Sequence, residues 1–212
     1  MQKSRDKIIV ELWGLPGVGK TTLAKQLKKA GFHFISSNTV RINHFSLSVL
    51  HPIVVLVWFF YILRTMINNR SFLIARYNAA VFFDSLEKIH SAQKSKHKMI
   101  VIDEGMIQRL LSISDVIHSS EQIDFLLKWS PLGDISVFVN DRVIEKNRYD
   151  SSHPRVVINI NKFVEWQQNM FSLLPLISDR LNNISSVAPI DIKDDRISFV
   201  KEMVHYGGES NW

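Results

Sequence analysis

Between Gly14 and Thr22 the chain reads G-L-P-G-V-G-K-T-T, three glycines followed by a lysine and two hydroxyls. The spacing is G-x-x-x-x-G-K-[ST], a loop whose backbone N–H groups cradle phosphate. Gly14, Gly17 and Gly19 let the main chain wrap closely around an anion. Lys20 is spaced to reach the β- and γ-phosphates of a nucleotide, and the Thr21 hydroxyl to ligate Mg²⁺. Gly14, Pro16, Gly17, Val18, Gly19, Lys20, Thr21 and Thr22 are therefore the candidate nucleotide-binding residues, with ATP as the expected nucleotide. The flanks suit the motif. Ile8, Ile9, Val10, Leu12 and Trp13 form an apolar run fit for a buried strand. Lys20 to Ala30 read as a helix with Leu23, Ala24 and Leu27 on one face and Gly31 as its stop. A helix starting at the loop adds the positive end of its dipole to the anion site.

A second group of chemistry-bearing residues lies downstream. Met99-Ile100-Val101-Ile102-Asp103-Glu104 is an apolar run ending in two acids. An acid at such a strand end faces the phosphate loop and holds Mg²⁺, so Asp103 joins Thr21 as a candidate metal ligand. Glu104, one residue on, is expected to point elsewhere. It would take a proton from an acceptor hydroxyl, or orient water in an ATPase. An acidic helix start is the plainer alternative. Asp141 to Arg155 reads D-R-V-I-E-K-N-R-Y-D-S-S-H-P-R. It clusters Arg142, Lys146, Arg148 and Arg155 where a lid would close, and lid arginines stabilise charge in phosphoryl transfer. Arg148 and Arg155 are the candidate catalytic pair with Lys20 and Glu104, and Arg142 is a further nucleotide contact. The alternative is a solvated basic helix paired with Glu145 and Asp150. His153-Pro154 reads as a turn, and His90, His97 and His118 as surface residues without ligand spacing.

The elements that must position these groups alternate. Further apolar runs occupy Phe32 to Ile35, Ile135 to Val139 after the turn signal Pro131-Leu132-Gly133-Asp134, and Val187 to Ile192 around Pro189, which suits an edge strand. Helical patterns cover Ser120 to Trp129, Asn161 to Leu174 and Arg196 to Tyr206. Strands separated by helices predict a mostly parallel sheet with helices on both faces. Ligands then bind beyond the carboxyl ends of the strands. Gly14–Thr21, Ser36–Asn38, Asp103–Glu104 and Asn140–Arg142 all fall there.

The phosphate loop, V-I-D-E-G-M-I-Q-R and the basic segment with Arg142, Arg148 and Arg155 together resemble the P-loop nucleoside and nucleotide kinases, thymidylate kinase-like and deoxynucleoside kinase-like proteins in particular. The resemblance implies a three-layer α/β/α P-loop NTPase fold with a five-stranded sheet of order 2-3-1-4-5. It also implies ATP and Mg²⁺ as cofactors, and transfer of the γ-phosphoryl group to a small hydroxyl or phosphate acceptor. The sequence departs from that family at two points. Arg109 follows the acids at a distance, and Ser36, Ser37 and Asn38 stand where an acid is expected after the second strand.

The charge of +6 favours polyanionic partners, for which ATP suffices. No RNA-binding motif and no long basic run accompanies it, so nucleic acid is not an expected partner. The absence of cysteine excludes disulfides and thiolate metal sites. M-Q-K-S-R-D-K runs directly into the first apolar segment, so no signal peptide is expected, and ATP use implies a cytoplasmic protein. Residues 1–206 are expected to form one domain, with a helical insertion over 45–90, a lid-like segment over 141–156 and a loose tail over 207–212. Phe45 to Leu63 holds no Asp, Glu, Lys or Arg and is long enough to cross a bilayer. A single crossing there would put two strands of one sheet on opposite sides of a membrane. The expectation is a buried helix of a substrate-binding region. Peripheral membrane contact, or a lipid-linked or sugar acceptor at the membrane surface, is the alternative, and pairing of two copies of the chain is left open. Arg64, Arg70 and Arg76 fall six apart, so they share no strict helical face. The rival to a kinase is a regulatory or assembly ATPase.

Overall fold

The computed structural model describes residues 7–37, 44–140, 153–182, 188–191 and 200. Five parallel strands form one sheet: β1 (Ile8–Trp13), β2 (His33–Ile35), β3 (Met99–Ile102), β4 (Ile135–Asn140) and β5 (Ala188–Asp191), in the order β2-β3-β1-β4-β5. The order is the one the kinase resemblance implies. β1 is central, flanked in register by β3 (Glu11 opposite Ile102) and β4 (Trp13 opposite Phe138). β1 is apolar at almost every position because both faces of a central parallel strand are covered. Pro189 lies on the edge strand β5, where a missing N–H costs least.

Helices flank the sheet in a three-layer arrangement. They are α1 (Lys20–Lys29), α2 (His44–Leu50), α3 (Pro52–Asn69), α4 (Phe72–Lys94), α5 (Met106–Ser112), α6 (Ser120–Lys128), α7 (Pro154–Ile158) and α8 (Ile160–Asn182). α1 buries Leu23, Ala24 and Leu27 against the sheet, as the spacing predicts. α8 runs past Leu174 and through Pro175, because Leu173, Ile177 and Leu181 continue its buried face beyond the proline. The helical pattern over Arg196 to Tyr206 and the tail over 207–212 lie outside the described residues.

The apolar insertion is an α-helical hairpin with a short leading helix. Pro52 restarts the chain after α2 at the first turn of α3, where proline is tolerated. Arg70, in the left-handed region at φ 49°, ends α3, and the Ser71 hydroxyl caps α4 by accepting from the Ile74 N–H. α3 does not form the buried helix expected of Phe45 to Leu63. One face is buried: Trp58, Tyr61, Ile62, Thr65 and Asn69. Trp58 Nε1 donates to Ser130 Oγ (2.9 Å), and Asn69 bonds Asp115. The opposite face, which includes Phe59, is open to solvent. With both faces apolar, sequence periodicity cannot distinguish a fully buried helix from a half-buried one. By length and composition α3 could cross a membrane, but these contacts dock it on the domain.

Two buried polar clusters tie the helices to one another. Arg155, at the start of α7, donates from Nη2 to Asp115 Oδ1 (3.0 Å) and to the Ser112 carbonyl (3.1 Å), and its guanidinium lies 4.6 Å from the Trp166 ring centre. His90, expected at the surface, is buried on α4. Its Nδ1 is 3.0 Å from His51 Nε2, and burial lowers the pKa of both rings. His97 and His118 are exposed, as expected.

Candidate active site

The ends of β1 and β3 bring the two sequence motifs together. Adjacent parallel strands in register put Gly14 and Asp103 at the same edge of the sheet. Gly14 sits at φ 145°, and a Cβ there would collide with the Val139 carbonyl oxygen of β4, so only glycine allows the loop to leave β1 at this angle. Gly17 (φ 83°) and Gly19 (φ 86°) are left-handed as well, and nothing lies within 4 Å of where a Gly17 Cβ would be. The turn is thus open at the start of α1, the geometry in which a loop and a helix N-terminus accept phosphate. Pro16, Gly17, Thr21 and Thr22 are exposed, while Val18 is buried beneath the loop.

Lys20 folds back across the loop. Its Nζ donates to the carbonyls of Leu15 (2.9 Å) and Gly14 (3.2 Å). Burial pulls the ammonium down to about 8 against the attraction of Glu104 and Asp103, and Arg109 adds to the fall. A phosphate would give the buried cation a stronger partner than two neutral carbonyls.

The Thr21 hydroxyl donates to Asp103 Oδ2 (2.8 Å). This hydroxyl–carboxylate pair, exposed on the threonine side, fits a cation that takes few protein ligands and completes its shell with water and phosphate oxygens, as Mg²⁺ does. Among the described residues no three His, Cys, Asp or Glu converge on one point, so no all-protein metal cage is built there.

Glu104 departs from expectation in a productive way. Rather than turning aside, its carboxylate reaches the loop: Oε1 lies 4.0 Å from Lys20 Nζ, and Oε2 accepts from Arg109 Nη2 (2.9 Å). Burial favours its neutral form, but Arg109, Lys20 and Lys88 outweigh that and hold the pKa below the usual carboxylate range. Glu104 is therefore an ionised, partly exposed acceptor beside the phosphate loop. α5 makes this possible, because one helical turn returns Arg109 to the end of β3.

Four further residues, none of them a candidate from sequence, shape the site. Lys88 of α4 is almost wholly buried and pairs with Asp103 (3.3 Å) and Asp84 (3.0 Å). Asp84 also accepts from Ser37 Oγ (3.1 Å). A carboxylate of α4 thus stands beside Ser37, just past the end of β2. Gln108 Oε1 accepts from the Gly14 N–H (3.1 Å) and so fixes the loop entry. Beneath all of them Glu11 is completely buried on β1, accepting from the N–H of Ile107 (2.6 Å) and of Gly133 (3.3 Å). Its pKa is pushed up to about 7 by burial, against the two backbone bonds and Arg109. A lone acid inside an apolar strand was the one available signal for Glu11. Lys88 and Asp84 lay on a long helix with nothing local to mark them.

Arg155 does not join this constellation as a mobile lid residue. It is buried and ion-paired with Asp115 at the α7–α8 corner. Pro154 starts a helix there, and His153 caps it by accepting from the Arg155 N–H, so Arg155 is held inside the packing. Arg142, Lys146 and Arg148 lie outside the described residues.

Comparison with known proteins agrees with the geometry. A family model for the ATPase family associated with various cellular activities (AAA) matches residues 10–127, a stretch running from β1 through the phosphate loop and the β3 acids to α6. No curated protein sequence matches the chain. Among solved structures, thymidylate kinase from Candida albicans aligns over 96% of this chain and 94% of its own at 13% identity, with a TM-score of 0.50. Deoxyadenosine kinase from M. mycoides with bound dCTP aligns over 94% and 100% at 12% identity and a TM-score of 0.47. Thymidylate kinase from Ehrlichia chaffeensis aligns over 94% and 97% at 13% identity and a TM-score of 0.45. The likeness to the Candida enzyme is one of fold. With its phosphate loop, its β3 acids and a family match over more than half its length, the chain belongs to the AAA family of P-loop proteins, and it folds as the P-loop nucleotide kinases do.

Proposed function

We propose that the protein is an ATP- and Mg²⁺-dependent phosphotransferase that moves the γ-phosphoryl group of ATP to a small hydroxyl or phosphate acceptor. The observation that carries the reading is Glu104, an ionised carboxylate oriented by Arg109 and 4.0 Å from the phosphate-loop lysine. Lys20 and the loop would bind and align the triphosphate, and Thr21 and Asp103 would hold the cation. The cation, when bound, supplies neutralisation of charge on the phosphate oxygens. Glu104 would accept the proton of the acceptor hydroxyl as its oxygen attacks phosphorus. The bond from phosphorus to the bridging oxygen breaks, and ADP leaves. Arg148 is assigned to charge stabilisation and Arg142 to a further nucleotide contact, and Lys88 with Asp84 to the wall that faces an acceptor. ATP use would put the reaction in the cytoplasm.

A second reading has its own support. The matching family model is named for ATPases, and Glu104 could equally orient an attacking water. The two part on the fate of the label when the full chain is incubated with γ-labelled ATP and a panel of nucleosides, nucleotides, sugars and lipid alcohols. The kinase reading expects label in one acceptor and ADP release that depends on it. Label found only in inorganic phosphate, at a rate indifferent to every acceptor, would establish the ATPase instead.

A further inference from the structure

We propose that the outer face of α3, with the exposed ends of α2 and α4, is a docking surface for an anionic lipid bilayer. The helix has two apolar faces, and only one is used inside the domain. Trp58, Ile62 and Thr65 point inward. Ile53, Leu56, Phe60, Leu63 and Ile67 recur at three- and four-residue steps on the other side, and Leu56, Phe60 and Ile67 are 70%, 65% and 66% exposed. Phe45 on α2 and Phe72 at the start of α4 are 74% and 73% exposed, so the helices before and after α3 carry exposed aromatics as well. With about 200 Å² per aromatic side chain, Phe59, Phe60 and Phe72 alone present on the order of 400 Å², within the range of the largest apolar patches that monomers expose. An α-helix of 18 residues is about 27 Å long, enough to lie along a headgroup boundary with its inner face still packed on the domain.

Charge selects the occupant. No Asp or Glu occurs between Glu11 and Asp84, and the only Lys or Arg residues between His44 and Phe83 are Arg64, Arg70 and Arg76. All three are exposed. Arg64 follows Leu63 on the apolar stripe, Arg70 caps α3, and Arg76 stands one turn beyond Phe72. Arginines at the edge of an apolar face keep their charge at the headgroups while their stems lie along acyl chains. An acidic lipid surface answers three cations and no anion. A second copy of the same face would bring the arginines of both copies together with no acid to meet them. This inference concerns a surface on the insertion and does not depend on the reaction at the phosphate loop.

The test is co-sedimentation of the full chain with phosphatidylcholine vesicles, with and without phosphatidylserine. The protein should pellet with the serine-containing vesicles and be released by salt. Arg64→Ala and Arg76→Ala should each weaken binding about fivefold. Leu56→Ser with Phe60→Ser should weaken it about tenfold or more, with melting unchanged because both side chains are outside the packing. Should the double serine variant fail to fold, the chain's lack of cysteine allows a polarity-sensitive dye at Phe60→Cys, with Lys25→Cys on α1 as the control. Only the Phe60 dye should shift to the blue with vesicles. Protein left in solution, or a dye at Phe60 that does not respond, would overturn the proposal. So would equal binding to phosphatidylcholine alone, or a dimer that the double serine variant dissociates without any vesicle binding, which would assign the face to a second copy.

Discussion

Lys20 carries a proton balance that nucleotide binding should change. In the free protein, burial holds its ammonium near 8, with two backbone carbonyls as its hydrogen-bond acceptors. Phosphate favours the charged form, so binding should take up a proton wherever the free lysine is partly neutral. Affinity should then fall as pH rises above about 8. Calorimetric titration of an ATP analogue in buffers of different ionisation enthalpy reads that uptake directly. No uptake just above this pH would mean that Lys20 is already fully charged. The two acids should separate under mutation. Asp103→Asn removes the partner of Thr21 and should weaken Mg²⁺-dependent nucleotide binding. Glu104→Gln should keep nucleotide affinity and slow turnover about a hundred- to ten-thousand-fold if Glu104 is the base. Equal losses of affinity from both would mean that the roles are misassigned. That Lys20, Thr21 and Asp103 meet at one edge of the sheet was legible in the sequence, because a strand–loop–helix motif and an acid at a strand end mark them. The inward turn of Glu104 was not, because it depends on Arg109 returning from α5 through space.

At the scale of elements, Glu11 ties β1 to the start of α5 and to the turn before β4. It also explains Gly105, where a Cβ would collide with its carboxyl group, whereas at Gly133 a Cβ would first meet the Ile9 carbonyl oxygen. A carboxyl with a folded pKa near 7 and an ordinary value when unfolded holds its proton longer in the folded state. The contribution of Glu11 to stability is therefore fully present below about 4.5 and is lost as pH rises to about 7, on the order of 3 kcal/mol. Urea denaturation across that range should show the loss in the native protein and a flatter profile in Glu11→Gln. Identical slopes in the two proteins would place the titration elsewhere. The strand and helix boundaries mostly follow the sequence, because caps, glycines and prolines act locally. α8 does not, because the buried face after Pro175 outweighs the hydrogen bond that the proline removes.

At the scale of the whole molecule, Arg155 joins α7, the segment after α5 and α8 through Asp115, Ser112 and Trp166. Arg155→Ala would leave Asp115 buried without its cation and should cost about 3–5 kcal/mol of stability. Arg155→Lys, which keeps the charge, should recover part of it. Loss of turnover with unchanged melting would instead return Arg155 to the active site. What the sequence determined by itself is the phosphate-loop motif after the first strand and the alternation of elements. A phosphate cradle is a property of contiguous residues, and hydrophobic period is read along one strand or helix. Tertiary structure alone decided which half of the apolar insertion faces water, that His90 is buried, that Asp84 and Lys88 stand beside Asp103, and that Arg155 belongs to the packing. Each of these depends on which surfaces meet when distant segments pack, and a one-dimensional pattern does not record that. For an element apolar on every side, such as α3, only the rest of the fold can choose the face it covers.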